Sequence, residues 1–77
     1  MEGISEQERE FLEKVERMSA QNRLAFQVLI NNFDTIWEIC ETYELTPEER
    51  ARLLIRADEW DDPVLRLLVN LEGQLHQ

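Results

Sequence analysis

The feature that most constrains the fold is the run LAFQVLINNFDTIWEICETY at residues 24–43, which has no glycine or proline and the densest apolar content in the chain. At about 100° per residue, its apolar side chains cover nearly half of a helical wheel, where a surface helix needs only a stripe. They are Ala25, Phe26, Leu29, Ile30, Phe33, Ile36, Trp37, Cys40 and Tyr43. The pattern predicts a central helix covered from two sides, with Phe33 near the middle of its buried arc.

Capping signals place the starts of the other helices. A side chain that accepts from the backbone, followed by proline at the first helical position, marks a helix start. The chain has such pairs, Thr-Pro at 46–47 and Asp-Pro at 62–63, and Ser5 has capping-box spacing to a glutamate. Gly73 is expected to loosen the end of the last helix. The predicted helices span residues 6–18, 20–43, 47–59 and 63–75.

The boundary between the first two helices is ambiguous. Residues 19–22 can form a turn, yet they include no glycine or proline. The apolar stripe also continues in phase across them, which permits one fused helix over residues 6–43, about 57 Å long. Such a rod requires a dimer to bury its apolar face. Because helices longer than about 35 residues are rare in small domains, we favour the turn and keep the fused helix as the alternative.

The sequence predicts one all-α domain over residues 1–77, a small bundle of three to four helices. No segment has the apolar alternation of a strand. A core of this size gives only a few kcal/mol of stability, and a single cysteine cannot form an internal disulfide. Self-association is the stabilising device that remains, so we expect a homodimer.

Known catalytic and cofactor-binding motifs are missing from the sequence. The chain has no Gly-rich phosphate loop and no signature of a serine hydrolase, zinc peptidase or EF-hand. Cys40 is interpreted as a small buried residue, since the only histidine, His76, is far along the chain. The acids at 58–62 lack calcium-loop spacing. We therefore predict a protein that is not an enzyme, with no catalytic residues, no metal site and no cofactor.

Apolar side chains outside the main helical stripes predict a contact with a protein partner. Leu24, Val28 and Ile39 lie off the main face of the second helix, and two further pairs lie off the stripes of the last two helices. These pairs are Ala51 with Ile55, and Leu65 with Val69. Contiguous exposed apolar surface of this kind marks an interface.

A second candidate surface is the acidic elbow, residues 58–62, where four acids surround Trp60. Asp62 is expected to cap the last helix, which leaves the other acids without a structural role. Clustered negative charge beside an aromatic ring suits a basic groove on a partner. The candidate partner-binding residues are Asp58, Glu59, Trp60, Asp61, Ile55, Leu65 and Val69.

The leading interpretation is a small acidic, non-enzymatic interaction module: an adaptor, a chaperone-like subunit or an inhibitor. Its partner is expected to be a protein with a basic or apolar groove. The net charge of −9 disfavours direct binding to nucleic acid and to anionic membranes. The N-terminal residues do not form a signal peptide and no apolar run is long enough to span a bilayer, so we expect a cytoplasmic protein.

Two other functions stay open at this point. An acidic chain can mimic nucleic acid and block a basic groove of a DNA- or RNA-binding protein. A helix-turn-helix regulator is the less favoured alternative, with Arg66, Asn70 and Gln74 in one row on the last helix. The two Asp residues at the entrance of that helix argue against DNA binding, because phosphates would lie there.

Overall fold

The computed structural model describes residues 4–21 and 24–77, and the secondary structure within them is entirely helical. The helices are α1 (Glu6–Gln21), α2 (Ala25–Asn31), α3 (Phe33–Thr42), α4 (Pro47–Glu59) and α5 (Pro63–Leu75). The prediction of an all-α bundle is confirmed, although the described residues form five helices rather than three or four.

Asn32 divides the predicted second helix into α2 and α3. Its backbone leaves the helical region, with φ −126° and ψ 29°. Its backbone N–H and its side-chain Nδ2 both donate to the carbonyl oxygen of Val28, at 3.0 and 3.1 Å. Asparagine often interrupts a helix in this way, because its side-chain amide offers the backbone an alternative hydrogen bond. The prediction of one helix over residues 20–43 is therefore wrong.

The fused helix over residues 6–43 is also wrong. Leu24, directly before α2, has extended backbone with φ −97° and ψ 125°. The turn predicted at residues 19–22 does not occupy residues 19–21, since α1 continues through Ser19 and ends at Gln21. Residues 22 and 23, which complete that stretch, lie outside the described residues.

The two predicted proline junctions are confirmed. At the start of α4, the Thr46 hydroxyl accepts from the backbone N–H of Glu49 at 3.1 Å, and the Glu49 carboxylate accepts from the N–H of Thr46 at 2.8 Å. At the start of α5, the Asp62 carboxylate accepts from the N–H of Leu65 at 3.1 Å. Each cap satisfies backbone donors that the first helical turn leaves unpaired.

The central element of the bundle is α5, not the segment 24–43. Helix α5 packs against each of the other four helices. Leu65, Leu68 and Val69 are fully buried, so α5 is apolar over a wider arc than the stripe predicted for it. The core also contains side chains from α1 to α4 and the loop before α4: Phe11, Leu12, Val15, Met18, Val28, Ile36, Ile39, Cys40, Tyr43, Leu45, Leu53 and Ala57.

A buried ionic network joins α4, α5 and the loop before α4. The Glu72 carboxylate on α5 is fully buried and accepts from Arg50 Nε at 2.7 Å and from the Leu45 N–H at 2.8 Å. Arg50 also donates to the Leu45 carbonyl oxygen at 3.0 Å. Gly73 lies inside α5, where a Cβ would come within 3.2 Å of Arg50 Nε. This glycine therefore makes room for the arginine, which corrects the expectation that it loosens the helix end.

A second polar network joins α1 to α4. Arg52 donates to the buried Glu8 carboxylate at 2.7 Å, and Ser5 donates to the carboxylate of Glu49. Burial by itself raises the pKa of the Glu49 carboxyl, but hydrogen bonds from Ser5, Thr46 and Gln7 outweigh it and hold the pKa below its usual range. These contacts fix α1 on the bundle through side chains that the sequence pattern assigns to solvent.

The buried arc of the segment 24–43 is rotated relative to the prediction. Val28 and Ile39, predicted to lie off the main face, are buried in the core. Phe33, predicted near the middle of the buried arc, is 63% exposed. The prediction that Phe33 is a core residue is therefore wrong, because the helices that cover this segment contact the neighbouring arc instead.

We expect Phe33→Ala to lower the free energy of unfolding by less than about 1 kcal/mol, as exposed positions tolerate substitution. Phe11→Ala, the matched control in the core, should cost about 3–5 kcal/mol, because it removes a fully buried ring. Urea unfolding followed by circular dichroism measures both. A larger loss for Phe33→Ala than for Phe11→Ala would contradict this assignment of the core.

The buried network predicts a second contrast. Arg50→Met should cost about 3–5 kcal/mol, because it leaves the Glu72 carboxylate buried without a cation. Arg9→Met breaks an exposed ion pair with Glu13 and should cost less than about 1 kcal/mol. Equal urea midpoints for the two variants would show that the network contributes no stability.

Candidate protein-interaction surface

Four large apolar side chains are exposed at helical spacing on α2 and α3, and we call this set the apolar stripe. Phe26 and Ile30 lie on α2 and are 71% and 55% exposed, while Trp37 on α3 is 40% exposed. Phe33 completes the set, with its ring centroid 6.4 Å from that of Trp37. Large apolar side chains grouped on a surface indicate an interaction site, whereas isolated ones do not.

Two backbone hydrogen bonds connect the helices across the break at Asn32. The Asn32 N–H donates to the Val28 carbonyl oxygen at 3.0 Å, and the Ile36 N–H donates to the Asn32 carbonyl oxygen at 2.8 Å. Phe26 and Ile30 on α2 are four positions apart, as are Phe33 and Trp37 on α3, and this spacing places each pair on one face of its helix.

A row of carboxylates borders the stripe. Asp34, Glu38 and Glu41 are exposed on α3, and together with Phe33 and Trp37 they line one shallow depression. Within residues 4–21 and 24–77, none of these three carboxylates forms an ion pair. In the same part of the chain, five arginines pair with other acids: Arg9, Arg50, Arg52, Arg56 and Arg66. The surface therefore combines exposed apolar side chains with carboxylates that form no ion pair within the described residues.

The acidic elbow has structural roles that the sequence pattern did not reveal. Asp61 has φ 52°, its N–H donates to the Asp58 carbonyl oxygen at 3.3 Å, and the Asp62 N–H donates to the Ala57 carbonyl oxygen at 2.8 Å. These two bonds with a left-handed residue form a Schellman motif, which ends α4. The carboxylate of Asp58 accepts from Arg66 at 2.9 Å. The expectation that Asp58 and Asp61 have no structural role is wrong; Glu59 is exposed.

The apolar candidates near the elbow separate into two groups. Leu65 and Val69 are buried in the core at 1% and 0% exposure, so the expectation that they form free apolar surface is wrong. Ile55 and Trp60 are exposed and line one depression together with Ile4. The Arg56 guanidinium lies 4.9 Å from the centroid of the Trp60 ring. The elbow thus has its own cation against its tryptophan.

A groove of about 480 Å³ lies between α1 and α3. Its lining combines Lys14 and Arg17 of α1 with Thr35, Glu38 and Ile39 of α3, so it carries charges of both signs.

Cys40 is fully buried, as the sequence predicted, and its Sγ donates to the Leu68 carbonyl oxygen at 3.4 Å. Burial, together with the charge of Glu72, raises the pKa of the thiol to about 12. His76 Nε2 lies 2.9 Å from the backbone oxygen of Cys40. A thiol with this pKa is protonated at neutral pH, so it does not supply the thiolate that nucleophilic chemistry requires.

The helix-turn-helix row on α5 is exposed, with Arg66, Asn70 and Gln74 all on the surface. Arg66 is held by Asp58 of α4, which competes with a nucleic-acid contact. No group of three or more His, Cys, Asp or Glu side chains suited to a metal ion occurs within residues 4–21 and 24–77. No helix formed by these residues has the length and apolar character needed to cross a bilayer.

Comparisons of the chain with protein-family models, with curated proteins and with solved structures give no match.

The stripe was missed because sequence reasoning assigned the whole apolar arc of residues 24–43 to the core. One signal distinguished the two faces. Val28, Ile36 and Ile39 form an arc of aliphatic residues separate from the stripe, and only that arc has no acids beside it. Glu41 lies one turn after Trp37, and a charged side chain at that spacing indicates the solvent side of a helix.

The elbow predicts opposite effects for two neighbouring aspartates. Asp61→Gly should raise the free energy of unfolding by up to about 1 kcal/mol, because glycine adopts positive φ without the steric cost of a side chain. Asp62→Ala should lower it by about 1 kcal/mol through loss of the cap. Thermal unfolding compares both with the parent. A loss of stability in Asp61→Gly would show that its carboxylate matters more than its backbone conformation.

Proposed function

We propose that this protein is a small, acidic, non-enzymatic interaction module that docks on a larger protein through the apolar stripe. The observation that carries the proposal is the set of four large exposed apolar side chains on α2 and α3. Three of the four are aromatic, and aromatic side chains in the centre of a contact provide much of the binding energy of protein interfaces.

The energetics of the fold favour a binding role for the stripe over a structural one. Phe26, Ile30 and Phe33 each leave more than half of their surface in water. Burial of apolar surface contributes about 25 cal/mol of favourable free energy per Å². A partner that covers these side chains therefore adds hydrophobic binding energy that the monomer alone does not have. The other apolar arc of α2 and α3, which contains Val28 and Ile39, is already buried in the core.

The stripe is a stronger docking candidate than the acidic elbow. At the elbow, Arg56 stacks on Trp60, Arg66 pairs with Asp58, and Asp61 has a backbone role. A partner would have to replace contacts that the monomer already makes. At the stripe, neither the aromatic rings nor the bordering acids are paired with a cation of the described residues.

Capture experiments with matched surface variants test the proposal. The parent protein and two double variants are immobilised and exposed to lysate of the cells that produce the chain. Ile30→Ser with Phe33→Ser removes the stripe, and Ile55→Ser with Trp60→Ser removes the apolar part of the elbow. We expect a discrete protein to be retained by the parent and by the elbow variant, and to be lost from the stripe variant.

Leu67→Ser, at a partly exposed position on α5, is the control for a general loss of surface hydrophobicity. All variants should retain the helical circular dichroism of the parent. Retention of the same protein by the stripe variant, or its loss only from the elbow variant, would overturn the proposal and move the interface to residues 55–62.

A further inference from the structure

We propose that the occupant of the apolar stripe is a basic amphipathic helix of the partner protein, an inference that rests on the proposed docking function. The exposed surface supplies two chemical features side by side: apolar side chains, and carboxylates that form no ion pair within the described residues. A helix with an apolar face and lysine or arginine along its edge is complementary to both at once.

The charge of the site selects a basic partner. Asp34, Glu38 and Glu41 border the same depression as Phe33 and Trp37. An incoming apolar helix without cations would bring low-dielectric surface against these carboxylates and weaken their hydration, at a cost in free energy. Lysine or arginine at the edge of the helix replaces the lost hydration with ion pairs, and it speeds association at low salt.

The shape of the site selects a helix. The stripe lies on two consecutive helices, α2 and α3, which only Asn32 separates. Within each helix its members are four positions apart, as on the ridge of a helix, and a second helix packs its own side chains against such a ridge. The described residues contain no strand whose edge would accept an extended peptide.

A second copy of the chain satisfies these requirements less well. Each copy has a net charge of −9, and a second copy presents the same carboxylate row beside its own stripe. Contact between two such faces adds like charges to the interface, which opposes association. An anionic lipid surface is disfavoured for the same reason.

A designed peptide tests the inference directly. The probe is a synthetic peptide of about 18 residues, with leucine at the positions that form one face of a helix and lysine at the other positions. One control peptide has the same composition in an order without an apolar face, and a second has glutamate in place of lysine. The protein carries Trp60→Phe, which leaves Trp37 as its only tryptophan. We expect the basic amphipathic peptide alone to shift the Trp37 emission to shorter wavelength.

Matched protein variants identify the contacts. Ile30→Ser with Phe33→Ser should weaken binding of the peptide by at least about tenfold, as loss of central apolar contacts does in other interfaces. Asp34→Asn, Glu38→Gln and Glu41→Gln together should weaken binding at low salt and have a smaller effect at high salt. Asp58→Asn, Glu59→Gln and Asp61→Asn remove an equal number of acids at the elbow and should leave the affinity within about twofold of the parent.

Four outcomes overturn the inference: equal binding of the glutamate peptide, equal loss of affinity in the elbow triple variant, a Trp37 shift on self-association without peptide binding, or an equal shift with zwitterionic lipid vesicles. If any of these occurs while the stripe variant still fails to retain the lysate protein, the docking function is supported. Only the proposal of a basic helical partner is then wrong. If the stripe variant retains the lysate protein, the docking function itself fails.

Discussion

The buried carboxylate of Glu72 is the constraint on which the arrangement of the bundle depends. A charged group without solvent requires partners, and here they come from Arg50 and the backbone N–H of Leu45. Those partners lie on α4 and in the loop before it, so satisfying one side chain fixes three segments together. Gly73 also leaves room for Arg50, whose Nε would lie 3.2 Å from a Cβ at that position. Polar networks of this kind restrict a small core to one packing arrangement.

Anchoring α5 in the centre determines which surface of α2 and α3 remains free. Helix α5 contacts all four other helices, and the Cys40 thiol reaches its backbone at Leu68. The arc of α2 and α3 that contains Val28, Ile36 and Ile39 is thereby enclosed. In a chain of 77 residues no further helix is present within the described residues to cover the adjacent arc. The exposed stripe is thus a consequence of the same packing that makes α5 central.

The sequence predicts local structure such as helix caps. It does not predict features that depend on contacts between residues distant in the chain. The caps at Thr46 and Asp62 depend on three or four consecutive residues, and both were predicted correctly. The rotation of the segment 24–43 was not predicted correctly. A broad apolar face has more than one arc that can be buried, and the neighbouring helices determine which arc it is. Glu8 and Glu72 have the sequence context of surface acids, and only their distant partners Arg52 and Arg50 explain their burial.

The distribution of charge follows from these partnerships. Arg50 and Arg52 neutralise the buried carboxylates, while Arg9, Arg56 and Arg66 pair with acids on the surface. In the described part of the chain the acids of α3 form no ion pair, although Lys14 and Arg17 of α1 line the same groove as Glu38. In the proposed docking function, stability and recognition depend on different sets of charges. The first set is internally paired and supports the fold; the second is exposed next to apolar surface, where a basic partner would form both an ion pair and a hydrophobic contact.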